Sequence, residues 1–157
     1  RFGTNTLKRF GEPSERGVVL KDDDIFFIDI GPIWQHWEGD GGDTFVVGQD
    51  PEMRRIARDV RAVFESVQYR WQVEGLTGVD LYKCAIDEAE ARGWQLNLAM
   101  PGHRLSDFPH ALHHKGDLAA APFTPSPGLW MLEIQIRHPG LPYSAFYEDL
   151  LLEGPGE

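Results

Sequence analysis

Two different spacings of hydrophobic and polar residues divide the chain into segments of predicted strand and predicted helix. Short apolar runs at 25–28 and 44–47 are rich in β-branched and aromatic side chains, which is typical of strands. The connection between these runs contains Gly39, Gly41 and Gly42. We expect these glycines to let the backbone bend tightly near Asp40. The segment 25–47 is therefore predicted to form a rigid hairpin.

Helical spacing begins after this hairpin. Asp50 and Pro51 suit the cap and first turn of a helix. Apolar residues then recur every three or four positions, which predicts a helix over about 51–71. Gly75 and Gly78 are expected to break it. A second amphipathic pattern over 79–89 predicts another helix that stops near Gly93.

The rest of the chain reads as loop and strand. Residues 1–17 are predicted to be irregular or a short strand, and 18–20 to be a strand. Residues 101–128 read as a loop, whereas 129–136 and 145–152 read as strands. The order of strands, two helices and further strands predicts an α+β fold with a curved antiparallel sheet. Residues 1–157 are expected to form a single domain.

Composition excludes several classes of function. The 157 residues are 41% hydrophobic and 25% charged, as expected for one globular domain. A net charge of −10 argues against nucleic acid as a partner, because no basic stripe is available for phosphates. The single cysteine, Cys84, rules out an internal disulfide framework and favours a cytoplasmic setting. No apolar run reaches the roughly 20 residues of a membrane span, and no signal-peptide pattern is found, so we expect a soluble protein.

Candidate chemistry lies in five residues spread over the chain. They are Asp29, Asp40, His103, Glu133 and Glu148. Four carboxylates and one imidazole are the ligand set of a two-metal hydrolytic site, and such ligands suit divalent Mn, Co, Fe or Zn. Two such ions about 3.5–4 Å apart can hold a hydroxide and polarise a carbonyl beside it.

The five residues also have ordinary interpretations when each is taken alone. Asp29 has the position of a strand-end residue, and Asp40 that of a turn residue among glycines. Glu133 is more telling, because a glutamate within an apolar strand is costly unless charged partners compensate it. Strand alternation would still allow Glu133 to face solvent.

Five short motifs in chain order resemble the M24 family of pita-bread metallopeptidases, which includes methionine aminopeptidases, Xaa-Pro aminopeptidases, prolidases and creatinases. The motifs are Ile28-Asp29-Ile30-Gly31, Gly39-Asp40 with the strand after it, Gly102-His103, Pro127-Gly128 with Glu133 five residues on, and Tyr147-Glu148. They span nearly the whole chain. The resemblance implies a pita-bread fold, in which curved antiparallel strands carry the site and helices flank the sheet.

The resemblance also implies a role for each residue. Asp40 and Glu148 would bridge two divalent ions, Asp29 would chelate one ion, and His103 with Glu133 would hold the other. Glu133 would also relay a proton as general acid and base. His110, seven residues after His103, would contact the substrate carbonyl as a second catalytic residue. The implied substrate is a short peptide or small amide, and dimerisation is an expectation from the family alone.

Some positions depart from the family pattern. Arg104 and Ser106 follow His103, where the family usually has small glycines. Asp43 stands where an arginine is common in the proline-preferring peptidases. The chain opens on Arg1, and a complete pita-bread domain is longer, so we expect that an N-terminal part is lacking. Three hypotheses follow: an aminopeptidase or dipeptidase, a creatinase-like amidinohydrolase, and an inactive relative that acts as a binding module.

Overall fold

The computed structural model describes residues 1–9, 11–105 and 113–154. Its strands and helices, in chain order, are β1 (Asp24–Ile30), β2 (Ile33–Trp34), β3 (Trp37–Glu38), β4 (Gly41–Val47), α1 (Pro51–Glu74), α2 (Gly78–Ala91), β5 (Gln95–Leu96), β6 (His103–Arg104), β7 (Trp130–Arg137) and β8 (Ser144–Leu150). The described residues also form two short 3-10 helices, Gly3–Leu7 and Leu118–Ala120.

Six strands form one curved sheet in which every pairing is antiparallel. The order across the sheet is β1-β4-β8-β7-β5, and β6 pairs with the same edge of β7 as β5 does. Strands β2 and β3 form a separate small hairpin between β1 and β4. The predicted α+β fold with an antiparallel sheet is confirmed.

Helices α1 and α2 pack against one face of the sheet and make the main hydrophobic core. Strand β7 contributes every second residue to this core, namely Trp130, Leu132, Ile134 and Ile136. Of the alternate residues of β7, Met131, Glu133 and Gln135 are also buried, but they point to the opposite face. Glu133 is one of them and is only 8% exposed. The interpretation in which Glu133 faces solvent is therefore wrong.

The helix boundaries follow from their caps. Asp50 accepts hydrogen bonds from the backbone N–H groups of Glu52 and Met53, and so caps α1. Helix α1 ends at Glu74, and the next residue, Gly75, provides the left-handed cap with its φ of 66°. Thr77 then caps α2 through its side chain. Gly78 is the first residue of α2 and not a breaker, which corrects one detail of the prediction.

Two other local predictions differ from the structure. Residues 18–20 do not form a strand, so that assignment is wrong. The glycines near Asp40 have no positive φ; the tight turn of the connection lies at Gln35 and His36, with φ of 49° and 70°. These glycines therefore do not form the tight turn. None of the described helices is long and apolar enough to cross a membrane.

Candidate metal centre

One row of backbone positions crosses four neighbouring strands and carries three of the predicted acidic residues. Asp29 in β1 pairs with Gly42 in β4, Gly42 pairs with Glu148 in β8, and Glu148 pairs with Glu133 in β7. Because paired positions on one face of a sheet lie side by side, this register brings carboxylates from the two ends of the chain together.

Asp40 and His103 complete the group. Oxygen atoms of Asp29, Asp40 and Glu148 all lie within 4.8 Å of one another. The Nε2 atom of His103 lies 3.1 Å from Asp40 Oδ2 and 3.4 Å from Glu133 Oε1. The structure therefore brings all five predicted ligand residues into one cluster. His110 falls outside the described residues, so its role stays a prediction.

Gly42 provides the space in which the carboxylates meet. A Cβ atom at this position would lie 2.9 Å from Glu148 Oε1 and 2.5 Å from Cε1 of Phe146. The Phe146 ring is fully buried and has little room to move away. Gly42 does not form the predicted bend; its missing side chain leaves room for Phe146 and Glu148. The local sequence, in which Asp43 follows Gly42, does not indicate that Gly42 provides this space.

Gly102 allows β6 to approach β7 so that His103 reaches the cluster. Its φ of 67° suits glycine, and a Cβ atom there would lie 2.6 Å from the carbonyl oxygen of Met131. His103 itself pairs with Met131, two residues before Glu133. The imidazole and the Glu133 carboxylate consequently project toward the same point.

Mutual repulsion and burial perturb the acidic groups. Burial, followed by the charges of neighbouring acids, raises the pKa of Glu133 to about 7. Burial and then the charge of Asp40 raise the pKa of Asp29, and the same causes raise the pKa of Glu148 well above its ordinary range. For His103, burial lowers the pKa, but the hydrogen bond to Asp40 and the charge of Glu133 outweigh it and raise the pKa overall. The cluster thus attracts positive charge.

The donor set fits divalent cations. Glu148 Oε1 is buried, and no donor within the described part of the chain hydrogen-bonds to it. A buried carboxylate oxygen without a donor is costly unless a cation or proton compensates it. Carboxylate oxygens with one imidazole nitrogen are ligands that Mn, Fe, Co and Zn accept. The residues present therefore fit a metal centre.

The cluster lies in a cleft of about 690 Å³, a volume typical of small-molecule sites. Its walls add apolar side chains, Ile33, Met100 and Leu105, and two further acids, Glu38 and Asp117. Among the described lining residues no lysine or arginine occurs. The cleft is thus acidic, with apolar walls.

Comparison with sequence models of protein families shows to which family this chain belongs. The sequence model of metallopeptidase family M24 matches residues 1–136, which include four of the five clustered residues. The chain belongs to metallopeptidase family M24. The predicted resemblance is therefore confirmed, although Glu148 lies beyond the matched residues. Comparison with curated protein sequences gave no significant match.

Solved structures share the fold at low sequence identity. A methionine aminopeptidase from Thermotoga maritima is 18% identical, with a TM-score of 0.64 over 87% of this chain and 66% of its own. A dipeptidase from Pyrococcus horikoshii is 21% identical, with a TM-score of 0.69 over 98% and 45%. A prolidase from the same organism is 20% identical, with a TM-score of 0.65 over 99% and 44%. The pita-bread fold is thus confirmed for this M24 chain, which spans 44–66% of these relatives' length.

Proposed function

We propose that this M24 chain is the metal-binding part of a dinuclear metallopeptidase. The observation that carries the proposal is the convergence of four carboxylates and one imidazole in a single cleft. Residues 1–157 would form most of a single catalytic domain. A cytoplasmic location and a homodimer remain predictions from the sequence.

Each ligand is proposed from its place in the cluster. Asp40 contacts His103 and also lies with Asp29 and Glu148, so it is suited to bridge two ions. Glu148 pairs with Gly42 on one side and with Glu133 on the other, so it lies between the Asp29 side of the cluster and Glu133. This position supports a bridging role for Glu148 as well. Asp29 would then hold one ion, and His103 with Glu133 would hold the other.

Bound divalent ions would supply a Lewis acid for the scissile carbonyl and lower the pKa of a coordinated water. Glu133 is proposed to take the proton of the attacking water on a carboxylate oxygen and deliver it to the leaving amine. His110 is proposed to donate a hydrogen bond to the substrate carbonyl oxygen.

The cleft supports a substrate with a free amino end. Glu38 and Asp117 supply negative charge in its lining, and they would attract a protonated α-amino group. Ile33, Met100 and Leu105 would contact an apolar side chain. Relatives whose names are aminopeptidase, dipeptidase and prolidase support a short peptide as the substrate class. We therefore favour aminopeptidase or dipeptidase activity.

A matched peptide panel tests this function. Short peptides with a free or an acetylated N-terminus are incubated with the protein in Mn²⁺ or Co²⁺, and released amine is measured. We expect cleavage of the free peptides only, and a loss of about 10²–10⁴-fold in Glu133→Gln. Equal cleavage of acetylated peptides would contradict the amino-end assignment. Two bound ions without any turnover would favour the inactive binding module.

A further inference from the structure

The hydroxyl of Tyr82 lies next to two segments that carry proposed metal ligands, β7 with Glu133 and the segment with Gly102 and His103. Tyr82 is on α2, and its side chain is buried within the hydrophobic core. The hydroxyl donates a hydrogen bond of 3.0 Å to the backbone carbonyl of Glu133. This is a contact from the helical layer directly to the backbone of a proposed metal ligand.

The Glu133 carbonyl lies at a gap in the sheet. On one edge of β7, residues 136–137 pair with β5 and residues 130–131 pair with β6. Among the described strands, nothing pairs with 132–135 on this edge. The backbone N–H of Asn97 bonds to the carbonyl of Gln135, 2.8 Å away, and Tyr82 bonds to that of Glu133. A side-chain hydroxyl thus takes the place of a ladder partner.

The same hydroxyl also lies against the segment that carries His103. A Cβ atom on Gly102 would lie 2.8 Å from the Tyr82 oxygen, so the two groups are in close contact. The carbonyl of Gly102 accepts a hydrogen bond of 2.9 Å from the backbone N–H of Leu118. The Tyr82 hydroxyl therefore packs beside Gly102, immediately before the proposed histidine ligand.

Tyr82 acts here as a neutral donor. Burial, followed by the charge of Glu133, raises the pKa of its hydroxyl well above the ordinary range. The proton is retained throughout the physiological range, and the hydrogen bond to the carbonyl with it. The hydroxyl can thus fix one backbone position without contributing charge to the cluster.

We propose that Tyr82 is a positioning residue, whose hydroxyl fixes the backbone of Glu133 by a hydrogen bond and packs beside Gly102, so that the Glu133 and His103 side chains face one metal ion. The proposal rests on the proposed dinuclear site and assigns Tyr82 to one half of it. Removal of a group that orients a metal ligand without binding the metal itself typically lowers metal affinity by about 10–100-fold. The hydrogen bond of Tyr82 goes to Glu133, which belongs to the His103 half of the proposed site, so we expect the ion on the Asp29 side to be unaffected.

Metal titration of Tyr82→Phe tests this assignment, because the substitution removes only the hydroxyl and keeps the ring. Co²⁺ is titrated into the metal-free protein and followed by visible absorption, which reports the two binding steps. His103→Ala and Asp29→Ala identify which step belongs to which half of the site. Tyr143→Phe is the matched control, since Tyr143 is also buried but its ring contacts His138 instead of the cluster.

We expect Tyr82→Phe to weaken by about 10–100-fold the step that His103→Ala abolishes, and to leave the Asp29 step unchanged. Unchanged affinity at both steps, or equal weakening of both, would overturn the positioning role. A Tyr82→Phe protein that fails to fold while Tyr143→Phe folds would show a purely structural role and overturn it as well. If the wild-type chain binds no Co²⁺, the dinuclear site itself fails, which is a distinguishable result.

Discussion

Without metal, Glu133 should make the folded protein less stable as the pH rises. Its pKa is about 7 in the fold, against 4.5 for an ordinary glutamate. The folded state therefore holds a proton that the unfolded state has released between these values. Stability is fully present below pH 4.5 and is lost as the pH rises through 7. The raised pKa values of Asp29, Glu148 and His103 act with the same sign.

The magnitude follows from the size of this difference. A change from 4.5 to about 7 corresponds to about 3 kcal/mol of folding free energy. Most of this change, about 2–3 kcal/mol, falls between pH 5 and pH 8. Glu133→Gln removes the ionisable group and keeps the shape of the side chain. The difference in stability between wild type and Glu133→Gln should therefore isolate the contribution of Glu133.

The assay is urea unfolding of both proteins in chelator at pH 5, 6, 7 and 8. Relative to Glu133→Gln, the wild type should lose about 2–3 kcal/mol of unfolding free energy from pH 5 to pH 8. Saturating Mn²⁺ should reverse the trend, because the ionised carboxylate is then a ligand. A difference that stays constant with pH in chelator would refute the inference that Glu133 is buried among like charges.

Two further predictions concern the strands that carry the site. Gly42→Ala should destabilise the protein by about 1–3 kcal/mol and weaken metal binding, because its Cβ would overlap Phe146 and crowd Glu148. Gly41→Ala is the control, because nothing lies within 4 Å of a Cβ at that position. Equal effects of the two substitutions in thermal unfolding and metal titration would contradict the clearance role of Gly42. Thr44→Val should lower the free energy of unfolding by about 1–3 kcal/mol, because the buried Thr44 hydroxyl donates to the Phe146 carbonyl and accepts from the Phe146 N–H. An unchanged midpoint in denaturant unfolding would contradict a stabilising role of these two hydrogen bonds.

Much of the fold was predictable because its signals are local. Asp50 and Pro51 predicted the start of α1, and the spacing of apolar residues predicted both helices. The apolar runs likewise predicted the pairing of β1 with β4. The tight turn at Gln35 and His36 was missed, because positive φ is rare outside glycine and has no clear signal there.

The candidate site was predictable as a set of residues but not as a geometry. Five acidic and histidine residues in a known order were enough to expect a cluster. The clearance at Gly42 depends on the position of Phe146, about a hundred residues away in sequence, and no local pattern reports such a contact. The bond from Tyr82 to the Glu133 carbonyl is equally non-local, and the tyrosine reads as an ordinary core residue of a helix.

Two ions are proposed to share one site through common bridging carboxylates, and the metal content of the purified protein reports this. Elemental mass spectrometry on protein purified with Mn²⁺, beside a chelated sample, should give two ions per chain for the wild type. Asp29→Asn should retain one ion, whereas Asp40→Asn should lose both, because Asp40 is proposed to bridge. Full metal content in Asp40→Asn, or none in the wild type after metal is offered, would rule out a shared two-ion site.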